Sequence, residues 1–450
     1  MDDRPTGSAA GPAVGAPEGD GAAIRDSFED LIQPFQHRGI DLKLGRLEQA
    51  LAELGHPEAS FPAVQVAGTN GKGSICTLVA SALTSAGLRT GLYTSPHLLS
   101  WSERLRINGA AIADTQLRHL LERLQPCGQR HQLTPFEWIT AAAFVHFAAA
   151  GVDLAVLEVG LGGRLDATTV HPQRPVIGFA SIGLDHREVL GPDLASIAVE
   201  KAGVLSPGAV AVSGPQSPEV EGVLTAAARR VGAELRWVDP ARLELDGSLA
   251  ADGLIWRPAL AGAVQRTNSA VALGLLRALQ ERGWAIADQA IAVGFAQAHW
   301  PGRLQTARWA GSPVLLDGAH NPPAAIALRA ELDHRSAVLS ADDEGRCFVL
   351  GMLANKQAPR MLEVLLRPQD HAWIVPVVGH ACWDVDGLRQ ACPPLAARLR
   401  AAESTAAALD QILSGSATSQ PPPPSIVVAG SLYLLADLLR HPRLEARAPH

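Results

Sequence analysis

Residues 64–74 read VQVAGTNGKGS: a short apolar run, then a turn containing Gly68, Gly71 and Gly73, and finally Lys72 and Ser74 at the head of a helical pattern. An apolar strand that empties into a glycine-rich turn and a helix is the opening of a parallel α/β unit. The glycines let successive backbone N–H groups converge on an anion, Lys72 adds a point charge, and the helix presents its positive end. Such a loop cradles phosphate. The common P-loop pattern has four residues between its first glycine and Gly-Lys-[Ser/Thr]; this chain has Val66 at that first position, and here the hydroxyl follows one residue later.

Outward from this loop, apolar runs alternate with helical patterns. Strands are expected near residues 63–67, 90–94, 153–159, 176–182 and 209–213, with helices over 72–86 and 136–150. After the Trp300-Pro301-Gly302 breaker a second set follows: strands near 313–317, 346–352, 372–378 and 425–429, with helices after Pro322, after Gln357 and after the last strand. The pattern predicts an α/β protein, a P-loop doubly wound and mostly parallel sheet domain followed by a smaller Rossmann-like α/β domain. Residues 1–22, rich in Gly, Ala, Pro and Asp, are expected to be a disordered extension, 23–300 the nucleotide-binding domain and 301–450 the second domain. The run Pro421–Pro424 is expected to be a stiff loop.

A length of 450 residues accommodates two cores. The net charge of −7 gives no support to nucleic-acid binding, and no apolar stretch is long enough to span a membrane. Cys76, Cys127, Cys347, Cys382 and Cys392 form no Cys-x-x-Cys pair, so neither a disulfide framework nor a zinc ribbon is indicated, and a cytoplasmic protein is expected. A monomer is the default expectation.

A second segment, VLEVGLGGRLDAT at 156–168, delivers Glu158 to a strand end, where ligands of open α/β sheets bind. Alone, Glu158 reads as a helix cap or ion-pair partner; beside a phosphate loop the carboxylate reads as a Mg²⁺ ligand. A third segment, at 180–203, carries His186 and Lys201. Alone, His186 reads as a core or surface histidine and Lys201 as a solvated charge. Phe136 reads as a core aromatic at the head of its helix.

The strings AGTNGKGS, YTSPHL with ERLRING, TPFEWIT, LEVGLGGRLDAT, SIGLDH, EKAG, PGR, LDGAHNP and AGSLYL occur in this order between about residues 37 and 440. The chain thereby resembles the folylpolyglutamate synthase/dihydrofolate synthase family, the folate branch of the Mur-ligase superfamily. That resemblance implies an ATP-dependent ligase joining L-glutamate to dihydropteroate, and to reduced folates, through an acyl phosphate. By the same resemblance Gly71, Lys72, Gly73, Ser74, Asn268, Arg303 and Asp317 bind ATP, and Lys72, His186, Lys201 and His320 are catalytic. Two Mg²⁺ ions are implied, one on Ser95 and Glu158, the other on His186 and a carbamylated Lys201. The pterin-bearing substrate is implied to lie along Asp41, Leu42, Lys43 and Leu44, along Thr134, Pro135, Phe136 and Glu137, and along Leu165, Asp166 and Ala167, with Phe136 against the pterin.

Three positions depart from the family pattern: Thr169 stands for Asn, Lys43 for Gly, and Asn355-Lys356-Gln357 for Asp-Lys-Asp. The expectation is that none touches the phosphate or metal residues, so that only glutamate-side or tail-length preference changes. Ligation onto another acid, a P-loop kinase or NTPase switch, and a folate-binding homologue without chemistry are the competing readings.

Overall fold

The computed structural model describes residues 28–36, 41–339, 345–416 and 425–446; the expected extension at 1–22 and the proline run at 421–424 lie outside the described residues. Eight strands build the first sheet: β1 (Ala63–Ala67), β2 (Thr90–Tyr93), β3 (Leu105–Ile107), β4 (Ala110–Ala111), β5 (Leu154–Glu158), β6 (Val176–Phe179), β7 (Val210–Ser213) and β8 (Glu234–Trp237). Their order is β4-β3-β2-β5-β1-β6-β7-β8. All neighbours are parallel except β2 with β3 and β3 with β4.

The central strands are buried along their whole length because helices cover both faces, which is why they read as unbroken apolar runs. The helices Lys72–Ser85, Val264–Glu281 and Asp288–Gln297 pack on one face around Val79, Leu276 and Phe295. The helices Asp114–Arg130 and Pro135–Ala150 pack on the other around Leu121, Phe144 and Leu157.

A small antiparallel sheet, β9 (Arg242–Leu243), β10 (Leu249–Ala251) and β11 (Leu254–Trp256), follows. Then come β12 (Gln305–Trp309), β13 (Ser312–Leu316), β14 (Cys347–Leu350), β15 (His371–Ile374), β16 (Leu399–Ala401), β17 (Ile426–Ala429) and β18 (Leu444–Ala446). They form a second sheet in the order β16-β15-β14-β17-β13-β12-β18, parallel from β16 to β13 and antiparallel at β12 and β18.

Register fixes the site. Val66 of β1 stands opposite Glu158 of β5, so the carboxylate leaves its strand level with the start of the glycine turn. In the second sheet β13 ends at Leu316 beside Val428 of β17, and the Asp317 N–H bonds the Val428 carbonyl at 3.0 Å. The carboxyl ends of both sheets face one crevice, where open α/β sheets bind ligands.

Candidate functional site

A cavity of about 480 Å³ lies between the two sheets and is lined by the glycine turn, the exits of β2 and β5, His186, Lys201, Asn268, Arg303 and the turn after β13. The turn needs its glycines. Gly71, at φ +98°, caps the helix Lys72–Ser85, and a Cβ there would stand 2.5 Å from Asn268 Oδ1. At Gly73 a Cβ would stand 2.5 Å from the Trp300 ring. The backbone is therefore pressed against Asn268 and Trp300, both cavity residues. Asn268 donates to Gln265 at 3.0 Å, and Gln265 donates to the Ser74 hydroxyl at 3.4 Å. The Lys72 ammonium donates to the Thr69 carbonyl at 3.1 Å.

Glu158 is buried, and its Oε2 accepts from the Ser95 N–H at 3.1 Å. Burial pushes its carboxyl above the ordinary value, while Lys72 pulls the other way. Ser95 and Glu158 are hard oxygen donors of the kind Mg²⁺ takes. Lys201, near the end of the helix Leu194–Ala202, is also buried, and its Nζ donates to the Gly68 carbonyl at 2.9 Å. Burial and then the Lys72 charge push its pKa down to about 7. An ammonium has no lone pair for a metal, so Lys201 fits a metal site only as a carbamate, whose remaining N–H keeps the Gly68 bond. His186 caps a short helix at φ +50°, with Asp185 and Glu188 oxygens at 4.0 and 3.7 Å from its ring nitrogens.

Asp317 sits at the tip of β13, accepting from the Leu304 N–H at 3.0 Å and the Ala319 N–H at 2.9 Å, which ties the Arg303 turn to the second sheet. Burial raises its carboxyl, and Arg303 opposes that rise. His320 Nδ1 donates to the Gly318 carbonyl at 2.8 Å, leaving Nε2 toward Asp185. Burial first, then Lys356, holds this imidazole at about 4, so it is neutral.

The expected phosphate and metal residues thus meet in one cavity. The expected substrate segments do not line it; they pack behind its β5 side. Arg46 joins two of them, pairing with Asp41 at 2.6 Å and Glu137 at 2.7 Å. Glu137 also closes a capping box with Thr134, accepting from its N–H at 2.7 Å, with Pro135 in the first helical turn. Asp166 accepts from the Gly160, Leu161 and Thr168 N–H groups at 2.9 to 3.0 Å, which shapes the turn after β5 and places Leu165 and Ala167 around it. Phe136 is half-buried 6.1 Å from Tyr93, and a Cβ on Gly160 would stand 2.4 Å from its ring, so Phe136 backs onto a cavity-lining backbone. Leu42 and Leu44 are half-buried and Lys43 is exposed, 3.5 Å from Asp41.

Two departures gain a physical account. Thr169 accepts from Gln65 at 2.9 Å and donates to the Gly163 carbonyl at 2.7 Å, holding the β5 turn. The 355–357 segment comes up beside a metal residue without a hydrogen bond or ion pair to it: Lys356 Nζ lies 2.8 Å from Asp185, the neighbour of His186. Asp185 also accepts from Asn321 at 2.9 Å, and Asn321 exchanges two hydrogen bonds with Asn70 of the glycine turn at 3.0 and 3.2 Å. Burial would raise the Asp185 carboxyl, but Lys356 beside it holds it well below the usual carboxylate range. The sequence assigns no role to Asn70, Asp185, Asn321, Lys356, Gln265 or Trp300, though all but Gln265 stand in segments already singled out. A second cavity of about 500 Å³ adjoins this network, lined by Asp185, His186, Arg187, Asn321, Asn355, Lys356 and Gln357.

A family model described as dihydrofolate synthetase, C-terminal domain, matches residues 303–441. The dihydrofolate synthase/folylpolyglutamate synthase of Bacillus subtilis is 36% identical over 304 residues, covering 63% of this chain and 70% of its own. The folylpolyglutamate synthase of Mycobacterium tuberculosis, solved with ADP and AMPPCP, superposes with a TM-score of 0.82 at 31% identity, covering 94% of this chain and 99% of its own. A bifunctional folylpolyglutamate synthase/dihydrofolate synthase solved with Mn, AMPPNP and L-glutamate superposes at 0.76 and 29% identity, covering 90% of this chain and 96% of its own. Through this shared sequence and shared two-sheet fold, the chain belongs to the dihydrofolate synthase/folylpolyglutamate synthase family.

Proposed function

We propose that the protein is an ATP-dependent ligase that joins L-glutamate to dihydropteroate, and adds γ-linked glutamate to reduced folates, at the crevice between its two sheets. The observation that carries this is the meeting of the glycine turn, Glu158, Lys201 and the turn after β13 on one cavity. A carboxylate is a poor electrophile; moving the γ-phosphoryl group onto it gives an acyl phosphate that an amine can attack. Backbone N–H groups of the 68–74 turn, Lys72 and Arg303 offset the charge that gathers as the substrate carboxylate nears the γ-phosphate.

Ser95 and Glu158 would hold one divalent ion, and His186 with a carbamylated Lys201 a second. Such ions would supply positive charge to neutralise what develops on the transferring phosphoryl group. The low pKa of Lys201 leaves a neutral amine available to CO₂ near neutrality, which favours the carbamate. Neutral His320 can hydrogen-bond the reacting groups without adding a cation.

The second cavity suits the amino acid: Arg187 and Lys356 for its carboxylates, Asp185 and Glu188 for its ammonium. Phe136 and the turn after β5 suit the pterin, with Asp41–Leu44 and Leu165–Ala167 alongside. We assign residues 23–300 to the nucleotide-binding domain and 301–450 to the glutamate-side domain, a division supported by the change of sheet between β11 and β12. Among the described residues no helix is long and apolar enough to cross a membrane. Five free thiols favour the cytoplasm, and a monomer is the assigned state, which sedimentation would check.

Purified protein incubated with ATP, L-glutamate and either dihydropteroate or tetrahydrofolate, with products weighed by mass spectrometry, tests this reading. Phosphate release requiring both acid and amine supports it; ATP turnover independent of the amine overturns it.

A further inference from the structure

Away from the crevice, Glu53, Cys127 and His131 bring a carboxylate, a thiol and an imidazole within 4.8 Å of one another, each atom to each. Their placement follows from the helices. Glu53 is the last residue of the helix Gly45–Glu53, and Cys127 stands one turn before His131, the residue that closes the helix Asp114–Arg130. Residues four apart share a helix face, so the thiol and imidazole point the same way. Cys127 Sγ lies 3.8 Å from the Ala50 carbonyl, one turn before Glu53, which seats it at the inner end of the cluster. His131 Nε2 lies 2.7 Å from Glu53 Oε2.

We propose that Glu53, Cys127 and His131 form a binding site for one borderline-soft divalent cation, zinc being the occupant their donor set suits. Zinc takes thiolate, imidazole and carboxylate, and its bond lengths set neighbouring ligand atoms roughly 3.3–3.8 Å apart in a tetrahedron, a spacing inside the 4.8 Å spread of these three atoms. Arg130 bonds the other oxygen, Oε1, so it holds the carboxylate in place while Oε2 faces the ring. Glu53 is partly exposed, which leaves the fourth position to water. On entry the cation takes the place of the thiol proton, which leaves to solvent; no redox step is involved. The bridge would pin the helix bearing Arg46, and hence the Asp41–Glu137 support, to the helix Asp114–Arg130.

Titration of the metal-stripped full-length protein with Co²⁺ tests the site. The expected result is one equivalent bound with a near-ultraviolet thiolate-to-cobalt charge-transfer band that Zn²⁺ abolishes on addition. Cys127→Ser should lose the band, and His131→Ala and Glu53→Gln should each weaken binding by at least about tenfold, as expected for loss of one ligand. Ligase turnover of Cys127→Ser with ATP and Mg²⁺ should match the parent, showing that the variant is folded. Absence of the band in the parent, or an undiminished band in Cys127→Ser, would overturn the proposal.

Discussion

Replacing Lys356 by methionine removes a cation that the second sheet sends across to the first while keeping the length of the side chain. Its Nζ stands 2.8 Å from Asp185, and the two side chains are only 11% and 12% exposed. At that separation two unit charges attract by about 6 kcal/mol at an effective dielectric of about 20, most of it offset by the desolvation that pairing requires. Deleting one partner is a different matter, because Asp185 stays buried without its cation, which typically costs about 3–5 kcal/mol. The Asn321 hydrogen bond at 2.9 Å survives, so the low end, about 3 kcal/mol, is the better figure.

That loss falls on the arrangement in which the two sheets share Asp185, and therefore on the second cavity, proposed for the amino acid, rather than on the glycine turn. In steady-state assays at saturating ATP and acid, Lys356→Met should lower kcat/KM for L-glutamate roughly 10²-fold, since each 1.4 kcal/mol is tenfold. Nucleotide affinity by calorimetry should stay within about threefold, because Lys72 and Asn268 are untouched. Lys356→Arg should recover part of the loss. A near-parental kcat/KM for glutamate, or an equal loss in nucleotide affinity, would refute this reasoning.

Lys201→Ala should lose more than about 10²-fold in turnover while still binding nucleotide, and short-chain carboxylic acids should restore part of it; full activity would remove the carbamate. In CO₂-free buffer the Lys201 pKa of about 7, against an ordinary 10.5, means that the unfolded chain holds one more proton between those values, so stability should climb with pH across that window. Lys201→Met should flatten the climb in denaturant titrations, and an unchanged slope would contradict the burial argument. Phe136→Ala should raise KM for the pteridine substrate far more than KM for ATP; equal effects would assign the ring to packing against Gly160 and Tyr93 alone.

The legible parts of the fold share one physical cause: their signal is local. The buried strands are apolar along their length, the 68–74 turn names its own glycines, and Thr134-Pro135-Phe136-Glu137 carries a capping box in four residues. The missed pieces are short hairpins. β3–β4 turns on Asn108-Gly109 and β10–β11 on Asp252-Gly253, each with positive φ at both positions. Asn-Gly and Asp-Gly are strong hairpin signals, but strands of two or three residues have no periodicity to set beside them. At the site, the part of the proposed phosphate cradle in the 68–74 turn could be read from one segment. Lys356 could not, because its partner Asp185 is 171 positions away, nor could the Asn70–Asn321 pair, 251 apart. Glu137 and Asp166 were expected at the substrate; Asp166 has both oxygens occupied by local backbone and Glu137 is held by the Thr134 N–H and the Arg46 side chain, so whatever they do for a substrate they do partly by shaping the walls that face it.

The most direct test of the central claim follows an oxygen atom. Dihydropteroate labelled with ¹⁸O in its carboxylate, turned over with ATP and L-glutamate, should pass one labelled oxygen to inorganic phosphate for every amide formed, because the acyl phosphate loses that oxygen with its phosphoryl group. Unlabelled phosphate accompanying labelled amide product would contradict the account, since the acid would then have been joined without being phosphorylated.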